Sequence, residues 1–251
     1  MQLHIDTETG LLTCDGKEVD LYSPDGFEAV SSLWLRLAWN ERYPYTMTWL
    51  GQPIFQLPED IVRLQEVVYQ LTPDYIIETG VAFGGSLLLH ATTCRIVGRG
   101  RVIGIEKHLR PHNREALQRH PLADFITVIE GDSIDGSVIQ QVRDMVPQGA
   151  RVLVILDSAH TKRHVLAELE AYAPLVSVGS YAVVTDGFIS EMSDAPKGKA
   201  YWEEDNPLSA VDAFLSHHSE FVVEAPAWPY NDTELTTPLS FLGGGWLKRI
   251  S

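Results

Sequence analysis

Cysteine and basic residues are both scarce in this sequence. Only two cysteines, Cys14 and Cys94, occur among 251 residues, which is too few for a disulfide framework, and neither has a neighbour suited to a shared metal site. Lysine and arginine total 19 against 34 aspartates and glutamates, so the formal net charge is -15. A surface this acidic repels nucleic-acid phosphates and anionic lipid. We therefore expect no nucleic-acid partner and no zinc site.

The sequence also lacks long apolar runs. No uninterrupted apolar stretch approaches the ~20 residues that are needed to span a bilayer. The first ten residues, MQLHIDTETG, lack the basic and apolar regions of a signal peptide. We expect a cytoplasmic protein without membrane insertion.

Short apolar runs alternate with amphipathic helices from residue 57 onward. This alternation is typical of a mostly parallel sheet with helices on both faces, so we predict an α/β fold with a Rossmann-like, doubly wound sheet over residues 57–251. A closing strand pair is predicted at EFVVEAP and GGGWLKRI. The other predicted strands are DYIIET, GRVIGIEKH ending at Glu106, DFITVIEGDSID ending near Asp132, ARVLVILDSAH and SYAVVTDGF.

Residues 1–56 differ from the rest of the chain and are predicted to form a helical, aromatic-rich extension. The stretch FEAVSSLWLRLAWNERYPY repeats apolar residues at helical spacing up to Pro44. Such a helix packs on the core or on another subunit, or it forms a lid over a substrate pocket. Exposed apolar surface of this kind usually finds a partner, so a homo-oligomer is expected.

A glycine-rich turn lies within DYIIETGVAFGGSLLLH, residues 74–90. Its spacing is G-x-x-x-G-G and not the dinucleotide fingerprint G-x-G-x-x-G, which disfavours an NAD-dependent oxidoreductase. A helix N-terminus favours an anion, and the carboxylate of Glu78 beside the turn argues against a bound phosphate. The carboxylate suits a cationic ligand with hydroxyls and an amine, and S-adenosylmethionine has those groups.

Five acidic residues stand at the ends of predicted strands, where ligands bind in doubly wound sheets. One acid alone commonly caps a helix or lies in a solvated turn, but five at equivalent places indicate a site. Glu106 lies at the distance beyond the turn expected of an acid that binds a ribose diol, and Asp132 with Ser133 is placed for the adenine rim. The five acids are Glu78, Glu106, Asp132, Asp157 and Asp186.

Asp157 and Asp186 follow adjacent predicted strands and together predict a Mg²⁺ site, because that ion takes oxygen ligands and retains water. His160 is close enough to Asp157 to be a general base or a further ligand. The alternatives are that Asp157 caps the next helix, that Asp186 starts a turn with Gly187, and that His160 caps or packs.

Several stretches resemble the cephalosporin-hydroxylase and rhamnosyl O-methyltransferase family of class I S-adenosylmethionine enzymes. RPHNREA followed by GDSID and LDSAHTKRHV is the most specific part of the resemblance. The matching stretches cover most of residues 74–215 and are ETGVAFGGS, RVIGIEKHLRPHNREAL, HPLADFITVIEGDSID, VLVILDSAHTKRHVLAELEAYAPLVSVGSYAVVTDG and NPLSAVDAFL.

The resemblance implies a methyltransferase with S-adenosylmethionine and a divalent cation as cofactors. Related metal-dependent O-methyltransferases have two adjacent ligands on the second metal strand, whereas here Thr185 and Gly187 flank Asp186. The metal set is accordingly Asp157, Asp186 and Thr185, with water or His160 to complete it. The predicted cofactor residues are Glu78, Thr79, Gly80, Gly84, Ser86, Glu106, Lys107, Asp132, Ser133 and Asp157.

We expect a Mg²⁺-dependent O-methyltransferase that acts on a hydroxyl of a sugar, glycoside or polyketide-like acceptor, with His160 and Asp157 as the catalytic residues. A non-catalytic scaffold subunit of a biosynthetic complex and a hydroxylase-associated protein are the alternatives. Substrate choice is assigned to the N-terminal segment and to two loops, in which Trp202, Trp228 and Tyr230 either stack on substrate or pack. Gly198 and its flanking lysines suggest a lid.

Overall fold

The N-terminal extension contains a small sheet as well as a helix. The computed structural model describes residues 2–251, so residue 1, the first of the predicted extension, lies outside the described residues. Three short antiparallel strands come first: β1 (Leu3–Asp6), β2 (Leu11–Cys14) and β3 (Lys17–Asp20). The prediction of a helical, aromatic-rich extension is incomplete, because it does not include these strands.

Helix α1 (Pro24–Asn40) follows, where the sequence predicts one. Its first turn is capped by Ser23, whose hydroxyl accepts the Gly26 N–H at 3.1 Å. A short 3₁₀ helix (Tyr43–Thr46) contains Pro44, and a two-stranded ribbon of β4 (Thr48–Trp49) and β5 (Gln52–Pro53) completes the extension. The predicted boundary at residues 56/57 falls just before the next helix and stays a prediction.

The remainder of the chain alternates strands and helices around one seven-stranded sheet. Its helices are α2 (Pro58–Leu71), α3 (Gly85–Val97), α4 (Pro111–Arg119), α5 (Gly136–Met145), α6 (Lys162–Tyr172) and α7 (Pro207–Leu215). Its strands are β6 (Tyr75–Thr79), β7 (Arg101–Glu106), β8 (Ile126–Glu130), β9 (Val152–Leu156), β10 (Tyr181–Val184), β11 (Phe221–Val223) and β12 (Trp246–Arg249).

The strand order is β11-β12-β10-β9-β6-β7-β8, and only β12 runs antiparallel to its neighbours. Successive strands move outward from β6 to β8, and the chain then returns to β9 on the other side of β6. The order reverses between β6 and β9, which is where doubly wound sheets bind ligands.

Helices cover both faces of the sheet. The neighbouring β6 residues Ile76 and Ile77 are both fully buried but belong to opposite hydrophobic clusters, as strand alternation requires. Every residue of β9 is buried, which explains why its sequence VLVIL is uninterruptedly apolar. The predicted α/β, doubly wound, mostly parallel fold is confirmed, and so is the closing strand pair β11 and β12.

One strand end differs from its prediction. Strand β8 ends at Glu130, so Asp132 lies two residues beyond it, in the loop before α5. In residues 2–251, no helix combines the length and the apolar character required to cross a membrane.

Candidate active site

A cavity of about 610 Å³ opens at the carboxyl ends of the central strands. Its floor is made by the turns after β6, β7, β9 and β10, and its cover by the end of α1, the aromatic segment after it and the loop before α7. Small-molecule sites typically measure about 300–1,000 Å³, so this cavity is the size of a cofactor and substrate site. The predicted site residues that line it are Gly80, Ser86, Glu106, Asp157, His160 and Asp186.

The glycine turn after β6 packs directly on the turn after β9. Gly80 has φ +85°, and a Cβ there would lie 2.0 Å from the Asp157 carbonyl oxygen, so no larger residue fits. The Asp157 N–H donates to the Thr79 carbonyl at 2.9 Å. Thr79 is itself buried. The predicted residues Thr79 and Gly80 therefore fix the backbone of Asp157.

The helix after this turn begins with a second left-handed glycine. Gly84 has φ +85° and precedes α3, and a Cβ there would lie 2.7 Å from the Leu117 side chain. Ser86, in the first turn of α3, is 9% exposed and lines the cavity. Gly84 shapes the turn without lining the cavity.

Glu106 binds the glycine turn. Its Oε2 accepts the N–H groups of Val81 and Ala82, each at 3.0 Å, and its Oε1 accepts the His108 N–H at 3.1 Å. Free N–H groups at such a turn attract phosphate, but here a carboxylate occupies them. The arrangement disfavours a dinucleotide pyrophosphate at this turn.

Glu78 lies in the interior and not at the lip of the turn. It is fully buried on β6, its two carboxyl oxygens have no hydrogen-bond partner, and His90 Nε2 on α3 lies 3.6 Å from Oε2. Burial raises the pKa of Glu78 to about 8 and lowers that of His90 to about 4. Both groups are therefore neutral at pH 7. No feature of the sequence marks His90, which lies in an otherwise apolar helix pattern.

Lys107, Asp132 and Ser133 are near one another but outside the cavity lining. Lys107 Nζ donates to Asp132 Oδ2 at 2.7 Å, and this hydrogen bond lowers the Asp132 pKa. The Ser133 hydroxyl lies 3.1 Å from Nε2 of His164. Their assignment to the cofactor stays a prediction.

Asp157, His160 and Asp186 form a group with the composition of a metal site. One potential ligand atom from each lies within 4.8 Å of the other two, and His160 Nε2 is 3.0 Å from Asp186 Oδ2. Asp186 has the left-handed φ of 54°, which is uncommon outside glycine and aims its carboxylate from the tip of β10. The expected convergence of the two strand tips is present in the structure.

Thr185 contacts this group through Asp157. Its hydroxyl lies 2.5 Å from Asp157 Oδ1 and 3.0 Å from the Leu156 carbonyl oxygen, either of which can accept its single proton. A hydroxyl that donates its proton to Asp157 orients that carboxylate. The structure thus gives Thr185 a positioning contact, and its assignment as a metal ligand stays a prediction.

The electrostatics of the acidic group favour a cation. Burial, followed by repulsion from Asp186, raises the pKa of Asp157 to about 7. Burial alone would lower the His160 pKa, but Asp186, Asp157 and Glu168 outweigh it and the pKa is raised. Clustered acids near a histidine bind protons in the absence of another cation, and a divalent ion would take their place.

The cover of the cavity is aromatic. Trp39 of α1 and Trp202 meet edge to face at 5.2 Å, and Tyr45 stacks on Phe55 at 4.2 Å. These four residues line the cavity. Helix α1 also packs in a buried cluster with Phe188 and neighbouring residues, so the helix both packs on its own chain and contributes to the cover.

The other two predicted stacking residues lie outside this cavity. Trp228 lines a second depression, where the Arg63 guanidinium lies 5.9 Å from its ring centre. Tyr230 is 79% exposed. Of the three predicted residues, only Trp202 reaches the cavity.

Known proteins resemble this chain over most of its length. It is 29% identical over 171 residues to the rhamnosyl O-methyltransferase of Mycobacterium leprae (strain TN), covering 67% of this chain and 70% of the relative. It is 32% identical over 147 residues to that of Mycobacterium bovis (strain BCG / Pasteur 1173P2), covering 57% of this chain and spanning 58% of the relative.

Solved structures support the fold. The apo structure of the N160 form of CmcI matches with a TM-score of 0.55 at 21% identity, covering 82% of this chain and 77% of the other. The Mg-SAM structure of the D160 form matches with a TM-score of 0.55 at 19% identity, covering 82% and 78%. Residues 41–250 match the model of one family. This family match confirms the expected enzyme class, an O-methyltransferase. The chain belongs to the Rhamnosyl O-methyltransferase/CmcI family.

Proposed function

We propose that this protein transfers a methyl group from S-adenosylmethionine to a hydroxyl of a sugar or another small natural-product acceptor. A divalent cation, for which Mg²⁺ is the leading candidate, binds beside Asp157. One observation carries the proposal. Asp157, His160 and Asp186 converge with Glu106 and the Gly80 turn on one cavity at the point where the strand order reverses.

The floor of the cavity fits the methyl donor. Glu106 ends β7 and faces the cavity. Three backbone N–H groups use three of the roughly four acceptor sites of its carboxylate, so Oε1 retains one that can accept a ribose hydroxyl. Gly80 lets the turn pack directly on the Asp157 backbone, and Ser86 lines the cavity beside that turn. S-adenosylmethionine supplies an activated methyl group on a sulfonium, so positioning accounts for most of the acceleration expected from the protein. A solved member of the family contains Mg and SAM.

Asp157 and Asp186 fit a hard divalent cation, because their carboxylates lie within reach of one space and water can complete the coordination. The imidazole of His160 lies beside them and stays available to accept a proton. Such a cation would act as a Lewis acid on the acceptor hydroxyl. Asp157 is held for this role by the Thr185 hydroxyl and the Thr79 carbonyl.

In this proposal His160 accepts the proton of the acceptor hydroxyl. Asp186 lies 3.0 Å from its Nε2 and stabilises the protonated ring, which is why the His160 pKa is raised. The aromatic cover offers faces for a ring, chiefly Trp39 and Trp202. A sugar acceptor agrees with the relatives, which are named rhamnosyl O-methyltransferases.

Calorimetric titration tests the cofactor assignment. S-adenosylmethionine should bind and NAD should not, because the turn amides are occupied by Glu106. Binding of NAD alone would refute the proposal.

Release of S-adenosylhomocysteine with hydroxylated glycosides tests turnover and separates an enzyme from a scaffold. Asp157→Asn should lose metal-dependent turnover while it retains cofactor binding, and EDTA should have the same effect on the unmodified protein. Full activity in EDTA would rule out the metal.

Three further expectations belong to this proposal. They are a cytoplasmic location, a homo-oligomeric state and a separate N-terminal unit ending near residue 56. Cell fractionation, light scattering and limited proteolysis test them in turn.

A further inference from the structure

The cavity is acidic on its floor and basic at its rim. Its acidic lining residues, Glu106, Asp157 and Asp186, lie at or just beyond strand ends. Its basic lining residues are Arg42, Lys197 and Lys199. Acidic residues outnumber basic residues by 34 to 19 in this chain, and the net charge is -15. Three basic side chains around one cavity therefore stand out against the composition of the chain.

Two of these cations have no acidic partner. Lys197 Nζ lies 3.8 Å from Glu41 Oε1, whereas Arg42 and Lys199 form no salt bridge with any residue in 2–251. Aromatic rings hold them instead. The Lys199 ammonium lies 5.6 Å from the ring centres of both Tyr201 and Trp202. The Arg42 guanidinium lies 5.7 Å from the ring of Tyr45.

Backbone contacts hold the two segments that carry Arg42 and Lys199. Arg42 has φ 57°, a left-handed conformation that costs an arginine roughly 1–2 kcal/mol, and its N–H donates to the Trp39 carbonyl at 3.0 Å. Gly198, between the two lysines, approaches Met192 so closely that a Cβ would lie 1.7 Å from the Met192 carbonyl oxygen. The Lys197 N–H donates to Asn40 at 3.1 Å, which joins this loop to α1.

We propose that the acceptor carries an anionic group, a phosphate or a carboxylate, that binds Arg42 and Lys199 while its hydroxyl faces Asp157. The proposal rests on the methyltransferase function proposed above and narrows its substrate class. The cations belong to the covering elements and the acids to the strand tips, so the two ends of one acceptor meet opposite charges. Aromatic residues beside the cations provide the flat face that a ring needs.

The carboxylate of S-adenosylmethionine is the other source of an anion in this cavity. The anionic group of the acceptor and the carboxylate of S-adenosylmethionine would bind the same cations, but a binding experiment distinguishes them. If the cations serve the acceptor, their removal weakens acceptor binding and spares the cofactor. If they serve the cofactor, the reverse occurs.

The test uses three pairs of probes that differ in charge and keep their neighbouring hydroxyls. They are methyl α-L-rhamnoside with L-rhamnose 1-phosphate, methyl α-D-glucoside with D-glucose 1-phosphate, and catechol with 3,4-dihydroxybenzoate. Each is titrated calorimetrically into the full chain at low ionic strength. At least one anionic probe should bind roughly tenfold more tightly than its neutral partner, since hydrogen bonds to charged groups are worth about 1.5–3 kcal/mol.

The double variant Arg42→Gln/Lys199→Gln should remove this preference, which is roughly a tenfold loss of affinity for the anionic probe, and leave S-adenosylmethionine affinity within about twofold. The control is Lys17→Gln/Arg95→Gln, which changes the net charge equally at residues outside the cavity lining and should retain the preference. Lys199→Arg should retain it too.

Equal affinity within every pair, a preference that survives in the double variant, or a loss of cofactor affinity instead would each overturn the inference. S-adenosylmethionine binding by the unmodified chain is measured alongside. If it binds and no anion is preferred, the acceptor inference fails alone. If it does not bind, the methyltransferase proposal fails. The paired titrations then still measure whether Arg42 and Lys199 bind an anionic group.

Discussion

The buried carboxyl of Glu78 makes a quantitative prediction about stability and pH. Its pKa is about 8 in the folded protein because burial disfavours the charged form, whereas an ordinary glutamate has 4.5. From pH 4.5 to 8 the folded state therefore holds a proton that the unfolded state has lost. Since the unfolded state binds fewer protons, the free energy of unfolding decreases as the pH rises through this range.

The window from pH 6.5 to 7.5 limits the contribution of His90, which has the opposite sign. The His90 pKa is lowered to about 4 from 6.5, so this histidine is neutral in the folded protein throughout the window, whereas in the unfolded chain it is half protonated at pH 6.5 and mostly neutral at pH 7.5. Each pH unit corresponds to at most 1.36 kcal/mol per proton, so Glu78 should lower the free energy of unfolding by about 1 kcal/mol across the window. Asp60 and Asp157, each with a pKa of about 7, add to the total slope.

Comparison with Glu78→Gln removes the contribution of the other acids. Glutamine has nearly the same shape and does not titrate, so the variant should gain about 1 kcal/mol relative to the unmodified protein between pH 6.5 and 7.5. Urea unfolding in EDTA at pH 6.5, 7.0 and 7.5 measures both. A difference that stays constant across the window would show that Glu78 is already ionised in the folded protein, and the assignment of a neutral buried carboxyl would be wrong.

The remaining predictions concern the turn and the metal group. Gly80→Ala should lower the free energy of unfolding by about 2–5 kcal/mol, because it combines left-handed strain with a clash on Asp157. The control Gly149→Ala has φ +81° and open space, and should lose only about 1–2 kcal/mol in urea unfolding; equal losses would refute the clash. Thr185→Val should weaken Mg²⁺ binding roughly tenfold in calorimetry, since Asp157 loses its hydrogen bond, while Thr185→Ser retains it; unchanged binding in the valine variant would contradict this. Mg²⁺ affinity should fall about tenfold per pH unit below pH 7 as Asp157 takes up a proton, and a flat profile from pH 7 to 5 would contradict that.

The acids of the active site were predictable where strand geometry alone decides their place. Parallel strands end at one edge of the sheet, so Asp157 after β9 and Asp186 after β10 had to be neighbours. Glu106 is joined to the same edge because β7 lies beside β6. This part of the site follows from the alternating pattern and from the positions of the acids in the sequence.

The direction of the Glu78 side chain could not be predicted from the positions of the acids in the sequence. Strand residues alternate between faces, so a shift of one residue in the strand end reverses the direction of a side chain. Strand β6 continues through Thr79, which leaves Glu78 inside the strand and buried next to α3. The edge strand β8 ends before Asp132, which places that acid away from the cavity lining.

The N-terminal sheet did leave a signal in the sequence. Asp15 and Gly16 both have positive φ, of 48° and 83°, and they connect β2 to β3 between the paired residues Cys14 and Lys17. Asp-Gly between short strands indicates a two-residue hairpin turn. The aromatic pattern of α1 dominated the prediction of this region, and the strands beside it are too short and exposed to show a clear alternation.

Calorimetric titration of Mg²⁺ into protein saturated with S-adenosylmethionine tests most directly whether the strand-tip acids hold a cation beside the methyl donor. One ion per chain should bind to the unmodified protein at pH 7.5, and Asp157→Asn and Asp186→Asn should each lose it while they still bind S-adenosylmethionine. Undiminished Mg²⁺ binding in both variants, or no Mg²⁺ binding by the unmodified protein, would contradict that arrangement.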